Sequence, residues 1–246
     1  MTTTLIVFND QFSGSAGTLS ADTPDVGLAW TVMDHIAYAY TGAFTYSYTN
    51  AAAHFGDMKV DGSGHQRIGT GHYGGTYGAK FGSLGTSPDY AVELSGTFAR
   101  GDQNDFLRVC LRSFTGVSMI DNVAVSIFTG ADDGFLYVYL EDYIGGYAIF
   151  GSPVQLWKSA SGSTGATDVL KVRIELAGLN IRTLVNDIEV DRRMLSVGHV
   201  VTAPGAVYLI ESNDYATANL LDYIKIEERA KFWEDFVQTY EVTSNG

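Results

Sequence analysis

The sequence predicts an all-β fold, an antiparallel sandwich built as one domain, and three observations carry that prediction. Apolar and polar residues alternate with a period of two along several runs, which is the pattern of strands with one buried face. Those runs recur at roughly 10-to-15-residue spacing with Gly, Asp or Asn between them, as in antiparallel sheets. The 28 glycines against 4 prolines, with 15 tyrosines and 13 phenylalanines, suit many short strands joined by tight turns. No crossover-helix pattern separates the runs, which argues against a parallel α/β scheme.

The segment SAGTLSADTPDVGLAW, residues 15–30, surrounds Leu19, Pro24 and Val26 with small and turn-forming residues and closes on Trp30. It reads as turn chemistry that delivers an indole into the core. Residues 37–56 are rich in Ala, Tyr and Thr and fit a strand pair or an inserted loop equally well. Residues 61–87 are glycine-rich but interrupted by aromatics, and are expected to form an irregular crossing or a surface loop, with GSG at 62–64 as a turn.

Strands follow at YAVEL (Tyr90, Val92, Leu94), FLRVCLRSF (Leu107, Val109, Leu111) and NVAVSIF (Val123, Val125, Ile127), each set on one face. Cys110 is expected there as a small buried hydrophobe. After the turn GADDG at 130–134, FLYVYLEDY alternates again. In DVLKVRIEL, Leu170, Val172, Ile174 and Leu176 face one way, and Lys171, Arg173 and Glu175 the other, towards solvent. LNIRTLVNDIEVDRR continues with Ile181, Thr183 and Val185, turns at Asn186 and Asp187, and resumes with Ile188 and Val190 as a hairpin. The last clear strand is LLDYIKI; beyond it, helical spacing places Phe232, Trp233, Phe236, Val237 and Tyr240 near one side. The expected organisation is a sandwich over 1–227 and a C-terminal arm over 228–246.

A net charge of −13, from 28 acidic and 15 basic residues, opposes nucleic-acid binding, and Arg192 with Arg193 reads as a pair of solvated hairpin charges. One cysteine leaves no disulfide framework. MTTTLIVF has neither a basic leader nor a long apolar run, so synthesis in a cytoplasm without an export signal, and no membrane insertion, are expected.

Chemistry has few candidates. A glycosidase needs two carboxylates about 5 to 9 Å apart, and one strand supplies them on one face only at i, i+2. Glu141 and Asp142 fall on opposite faces, and IEE at 226–228 lies where the sandwich ends, so both read as solvated strand and turn charges. No nucleophile elbow or phosphate loop is present, and the expectation is a protein that is not an enzyme. His65 and His72, with His35, His54 and His199 scattered, lack zinc-like spacing. Asp102 and Asp105 in GDQND, and Asp132 and Asp133 in GADDG, offer oxygen ligands for calcium, but hairpin turns favour the same residues; no cofactor is expected, with calcium the sole candidate. A sugar platform is offered by Tyr143, Tyr147 and Trp157 around a Gly-Gly loop and by Tyr73 and Tyr77 in GHYGGTY. For protein assembly, Phe232, Trp233, Phe236 and Tyr240 form the partner-binding candidate, since such an apolar group must bury on its own domain or on a neighbour.

The run FNDQFSGSAGTLSADTPDVGLAWTV resembles the opening segment of concanavalin A-like (laminin G-like) jelly-roll modules of bacteriophage virion proteins. Asp10, Phe12, Gly17, Leu19, Thr23, Pro24, Asp25, Val26, Gly27 and Trp30 carry the match. VRIELAGLNIRTLVNDIEV is similar to the paired strands of that family, with Asp187 where the family usually has Gly. VTAPGAVYLI and NLLDYIKIE are similar to its closing strands, so the resemblance runs from about residue 7 to 227. It implies a jelly roll acting in a virion as a head-decoration, cement-type or tail-associated subunit, assembling with other virion proteins and with copies of itself. The alternative it implies is a glycan-binding adhesin directed at a host-surface glycan. The glucan-cleaving relatives carry a Glu-x-Asp-x-x-Glu strand, which has no counterpart in this sequence.

Overall fold

The computed structural model describes residues 5–32, 58–68, 75–80, 87–99, 106–113, 122–129, 133–144, 147–148, 153–162, 167–198, 205–213 and 220–228. Apart from one 3-10 turn at Leu19–Ala21, every regular element among them is a strand. In chain order these are β1 (Leu5–Asp10), β2 (Gly17–Thr18), β3 (Thr31–Val32), β4 (Met58–Val60), β5 (Gln66–Ile68), β6 (Gly75–Lys80), β7 (Tyr90–Ala99), β8 (Phe106–Ser113) and β9 (Asn122–Thr129). They continue as β10 (Leu136–Ile144), β11 (Tyr147–Ala148), β12 (Val154–Lys158), β13 (Thr167–Ala177), β14 (Asn180–Val185), β15 (Ile188–Met194), β16 (Ala206–Asn213) and β17 (Leu220–Glu228).

The strands form two antiparallel sheets. The first runs β15-β14-β13-β7-β17-β5-β4-β2 with β1 also on β17; the second runs β11-β10-β9-β8-β16-β6-β3 with β12 also on β10. The late strands β16 and β17 insert centrally, β16 between β8 and β6 and β17 between β7 and β5. The end of the described chain therefore ties together strands laid down much earlier.

The period-two pattern decides the interior. Val92, Leu94, Leu170, Val172, Ile174, Leu176, Ile224 and Ile226 from the first sheet meet Leu107, Val109, Leu111, Val123, Val125, Ile127, Val138 and Leu140 from the second in one buried cluster. Each such side chain contributes about 1.5–3 kcal/mol on burial. The opening segment forms one corner of that core as expected: Trp30 is 3% exposed, meets the Phe8 ring edge-on at 5.4 Å and Phe12 at 6.3 Å, and donates its Nε1–H to Asp10 Oδ2 at 2.5 Å. Asn186 and Asp187, at φ of +50° and +65°, make the expected hairpin turn without glycine, and Asn186 Oδ1 accepts the Lys171 N–H at 2.9 Å. Arg112 is fully buried and joins the sheets at one end, donating to the Pro88 carbonyl at 3.0 Å and to that of Gly178 while its backbone N–H reaches Tyr90 Oη.

Two expectations need correction. The glycine-rich stretch 61–87 contributes real strands, β5 and β6, because ladder hydrogen bonds need no side-chain pattern; β6 pairs β16 from Tyr208↔Lys80 to Asn213↔Gly75. The turn that starts β5 is held by Asp61, whose Oδ1 accepts the N–H groups of Ser63 and His65 at 2.7 and 3.2 Å, with Gly62 and Gly64 at positive φ.

The polar face of β13 is also not solvated. Arg173 is 9% and Glu175 3% exposed. Arg173 donates to Glu175 at 2.8 Å, to Glu93 of β7 at 3.1 Å and to Glu227 of β17 at 2.7 Å, and Lys225 lies 3.3 and 3.0 Å from Glu93 and Glu227. Long charged side chains on strands about 4.8 Å apart lie across one another and exclude water from their own ion pairs. The IEE carboxylates follow suit, since Glu228 accepts the Ser87 N–H at 2.6 Å. Residues 229–246, with the expected helical arm, lie outside the described residues.

Candidate functional site

The outer face of the second sheet gathers aromatic and polar side chains in one place. On β10, Leu136, Val138 and Leu140 point into the core, so alternation turns Tyr137, Tyr139 and Glu141 outward. Across the ladder Tyr137 pairs with Phe128 and Tyr139 with Ser126 of β9, and Arg108 of β8 pairs with Ser126 from the other side. On the far side β12 is bulged between the partners of Val138 and Tyr139. The extra residue lets both Lys158, opposite Tyr137, and Gln155, opposite Tyr139, share this face.

An aromatic row results. Phe128 meets Tyr139 edge-on at 6.2 Å, Tyr139 stacks on Tyr137 at 5.6 Å, and Tyr137 meets Phe135 at 6.4 Å. Phe128, Phe135 and Tyr139 are half-buried, whereas Tyr137 is buried between its neighbours. The Lys158 ammonium lies 3.6 Å from the Phe135 centroid and 5.1 Å from that of Tyr137. Gly162 is required where the chain passes Phe135, because a Cβ there would fall 2.7 Å from the ring and closer still to the Asp133 carbonyl.

Beside the row lies a buried polar group of three. Arg108 donates from Nε to Ser126 Oγ at 2.9 Å and from Nη2 to Glu141 Oε1 at 2.6 Å, and Ser126 donates to the same Glu141 oxygen at 3.0 Å. The Arg108 and Glu141 side chains are 8% and 4% exposed. Burial pushes the Tyr137 hydroxyl up to about 12, helped by its acceptor Asp133, and raises that of Tyr139, so both stay protonated donors at neutral pH. Burial likewise pushes the Cys110 thiol up to about 12.

The sequence candidates are dispersed around this face. Tyr143 lies one residue before the end of β10, paired with Asn122 and Ala148, and Tyr147 begins β11, paired with Ile144. Trp157, opposite Val138, is half-buried against the core rather than in the row. Tyr77 lies on β6, paired with Glu211. Tyr73, Asp102, Asp105, Asp132, Phe232, Trp233, Phe236 and Tyr240 fall outside the described residues.

Asp133 is a turn residue: Oδ1 accepts the Phe135 N–H at 3.0 Å and Oδ2 the Tyr137 hydroxyl, which together hold its carboxyl below the usual range. His65 pairs with carboxylates, Nδ1 lying 3.1 Å from Asp61 and Nε2 3.6 Å from Asp222. Among the described residues no group of three or more His, Cys, Asp or Glu is placed to hold a metal ion. Glu141 and Asp142 do face opposite ways, Asp142 accepting the Ser196 N–H at 3.3 Å, but neither is solvated. Sequence reasoning missed Phe128, Phe135, Tyr137, Tyr139, Gln155 and Lys158. The alternation of FLYVYLEDY marked Tyr139 as outward, whereas the neighbours on β9 and β12 are set by register alone.

Neither a family model nor a curated protein sequence matches the chain. Solved structures do. The laminarinase from Rhodothermus marinus matches with a TM-score of 0.60 at 14% identity, covering 94% of this chain and 100% of its own. The CBM2 module of the evolved Dit of Lactobacillus casei BL23 phage J-1 matches at 0.55 and 12% identity, covering 94% and 99%. The carbohydrate recognition domain of Emp46p, potassium-bound, matches at 0.53 and 10%, covering 69% and 84%.

The fold is a concanavalin A-like jelly roll. Identities this low establish the fold and nothing narrower. One expectation is overturned, that the protein is not an enzyme. Further endo-β-glucanases share the fold at TM-scores of 0.57 and 0.56 over 92% and 94% of the chain. The missing Glu-x-Asp-x-x-Glu strand is therefore no ground for excluding catalysis on this jelly roll.

Proposed function

We propose that this jelly roll binds a glycan on the outer face of its second sheet, with the half-buried Phe128 and Tyr139 as the apolar platform, Tyr137 packed between them and Phe135, and the exposed Gln155 and Lys158 at its flanks. The observation that carries the reading is the continuous aromatic row on an outward sheet face, bordered by polar side chains. Sugars present apolar C–H faces and hydroxyl rims, and sites for such ligands combine aromatic surface with a few placed polar groups. Carbohydrate-recognising domains among the matched structures support it. Of the functions the sequence suggested, this favours the glycan-binding alternative over assembly alone. A glycan array with and without calcium tests it: retention of one glycan class, lost in Tyr139→Ala, supports the reading, and uniform absence of signal removes it. The same incubations, read for new reducing ends, separate retention from cleavage.

The setting we propose is a phage virion, where the module would bring the particle to a host-surface glycan beside other virion proteins and copies of itself. The match to a module of a phage protein supports this placement. Antibody labelling of purified particles tests it, since a protein absent from the particle has a different setting.

A further inference from the structure

We infer that the glycan this face takes is uncharged, a polymer of neutral hexoses rather than one bearing uronate or sulfate groups; the inference rests on the glycan-binding reading above. Two ion pairs on this face are closed within it. Arg108 is bound to Glu141 at 2.6 Å, and Lys158 lies 3.8 Å from Asp133 with its ammonium over Phe135 and Tyr137. A ligand carboxylate or sulfate would have to compete with these partners for a cation. Taking Arg108 would break its 2.6 Å bond to Glu141, 4% exposed, and breaking a buried ion pair is costly. An anion at Lys158 would compete with Asp133 and the two aromatic faces for its ammonium.

Hydroxyl groups make no such demand. They donate and accept, and can bond to the exposed Gln155 while both ion pairs stay closed. Tyr137 and Tyr139 stay neutral at ordinary pH and add no charge of their own. The chain as a whole carries −13, which repels polyanions at long range and leaves a neutral polymer untouched.

The test uses the whole protein on an array pairing neutral hexose oligosaccharides with uronate and sulfated counterparts, read at about 50 and about 500 mM salt. The expected result is retention of neutral members, changing less than about twofold between the two salts, and at least about tenfold weaker retention of the acidic ones. Asp133→Asn keeps an acceptor for the Phe135 N–H but removes the charge facing Lys158, so it should strengthen acidic binding severalfold at low salt. Acidic glycans bound as well as or better than neutral ones by the unaltered protein, with salt-sensitive retention, would overturn the inference and leave the glycan-binding reading standing. Retention of no glycan would overturn both.

Discussion

Asp10 shows how much one buried carboxyl can govern. It is 1% exposed, with Oδ1 accepting the Phe12 N–H at 2.8 Å and Oδ2 the Trp30 indole. Burial nevertheless pushes its pKa up to about 6, the two donors pull it down, and the neighbouring Asp22 carboxyl pushes it up again. Asp22 is itself buried, and its Oδ2 has no hydrogen-bond partner among the described residues. Because the folded state holds this proton more tightly than the unfolded chain, the stabilisation is complete below about pH 4 and is lost as pH rises through about 6. Asp22→Asn replaces the repelling carboxyl by an amide able to donate, and should raise stability near pH 7 by roughly 1 kcal/mol with little effect near pH 4, as read from urea unfolding. Equal effects at both pH values would show that the pair does not share its proton. The sequence made Asp10 and Trp30 legible as one opening motif, but not Asp22, whose place beside Asp10 depends on how the 3-10 turn folds back.

At the scale of elements, β13, β7 and β17 are joined outside the core by Arg173. Its partners Glu93 and Glu227 lie 80 and 54 residues away in sequence, which is why alternation alone read that face as solvent-facing. Both carboxylates are held below the ordinary Glu range, against the opposing effect of burial: Glu93 by the Tyr223 hydroxyl, Lys225 and Arg173, and Glu227 by Arg173 and Lys225. Arg173→Ala removes the cation shared by three carboxylates, two of which keep Lys225, and should cost about 3 kcal/mol near pH 7, less near pH 4 as the carboxylates protonate. A loss below about 0.5 kcal/mol would mean that the network adds nothing to packing. On the second sheet, the buried Cys110 thiol should stay unreactive towards a thiol reagent in the folded protein and react fully in denaturant. Fast native labelling would show that β8 opens.

The whole molecule sums these opposed titrations. Glu93, Glu227, Asp61 and Glu189, all held low, stabilise above their ordinary range and lose that contribution as pH falls, whereas Asp10 loses its own as pH rises through about 6. Stability should therefore peak near pH 5, where the −13 charge is also partly neutralised; a urea midpoint rising steadily to about pH 8 would refute this balance. The sandwich, its hairpin turns and the buried Trp30 were legible because period-two alternation and turn residues are local signals. The aromatic row was only half legible, since Tyr137 and Tyr139 alternate visibly while Phe128, Gln155 and Lys158 join them through strand register and one bulge. The sequence-based exclusion of catalysis failed for a related reason: a missing local pattern says little about a surface assembled from separate strands. The most direct test of a glycan site on this face is a crystal of the protein soaked with a neutral oligosaccharide that the array retains. Density for sugar rings against Tyr139 and Phe128, within hydrogen-bond reach of Gln155 or Lys158, is the predicted result; sugar bound elsewhere, with this face unaltered, would contradict the account.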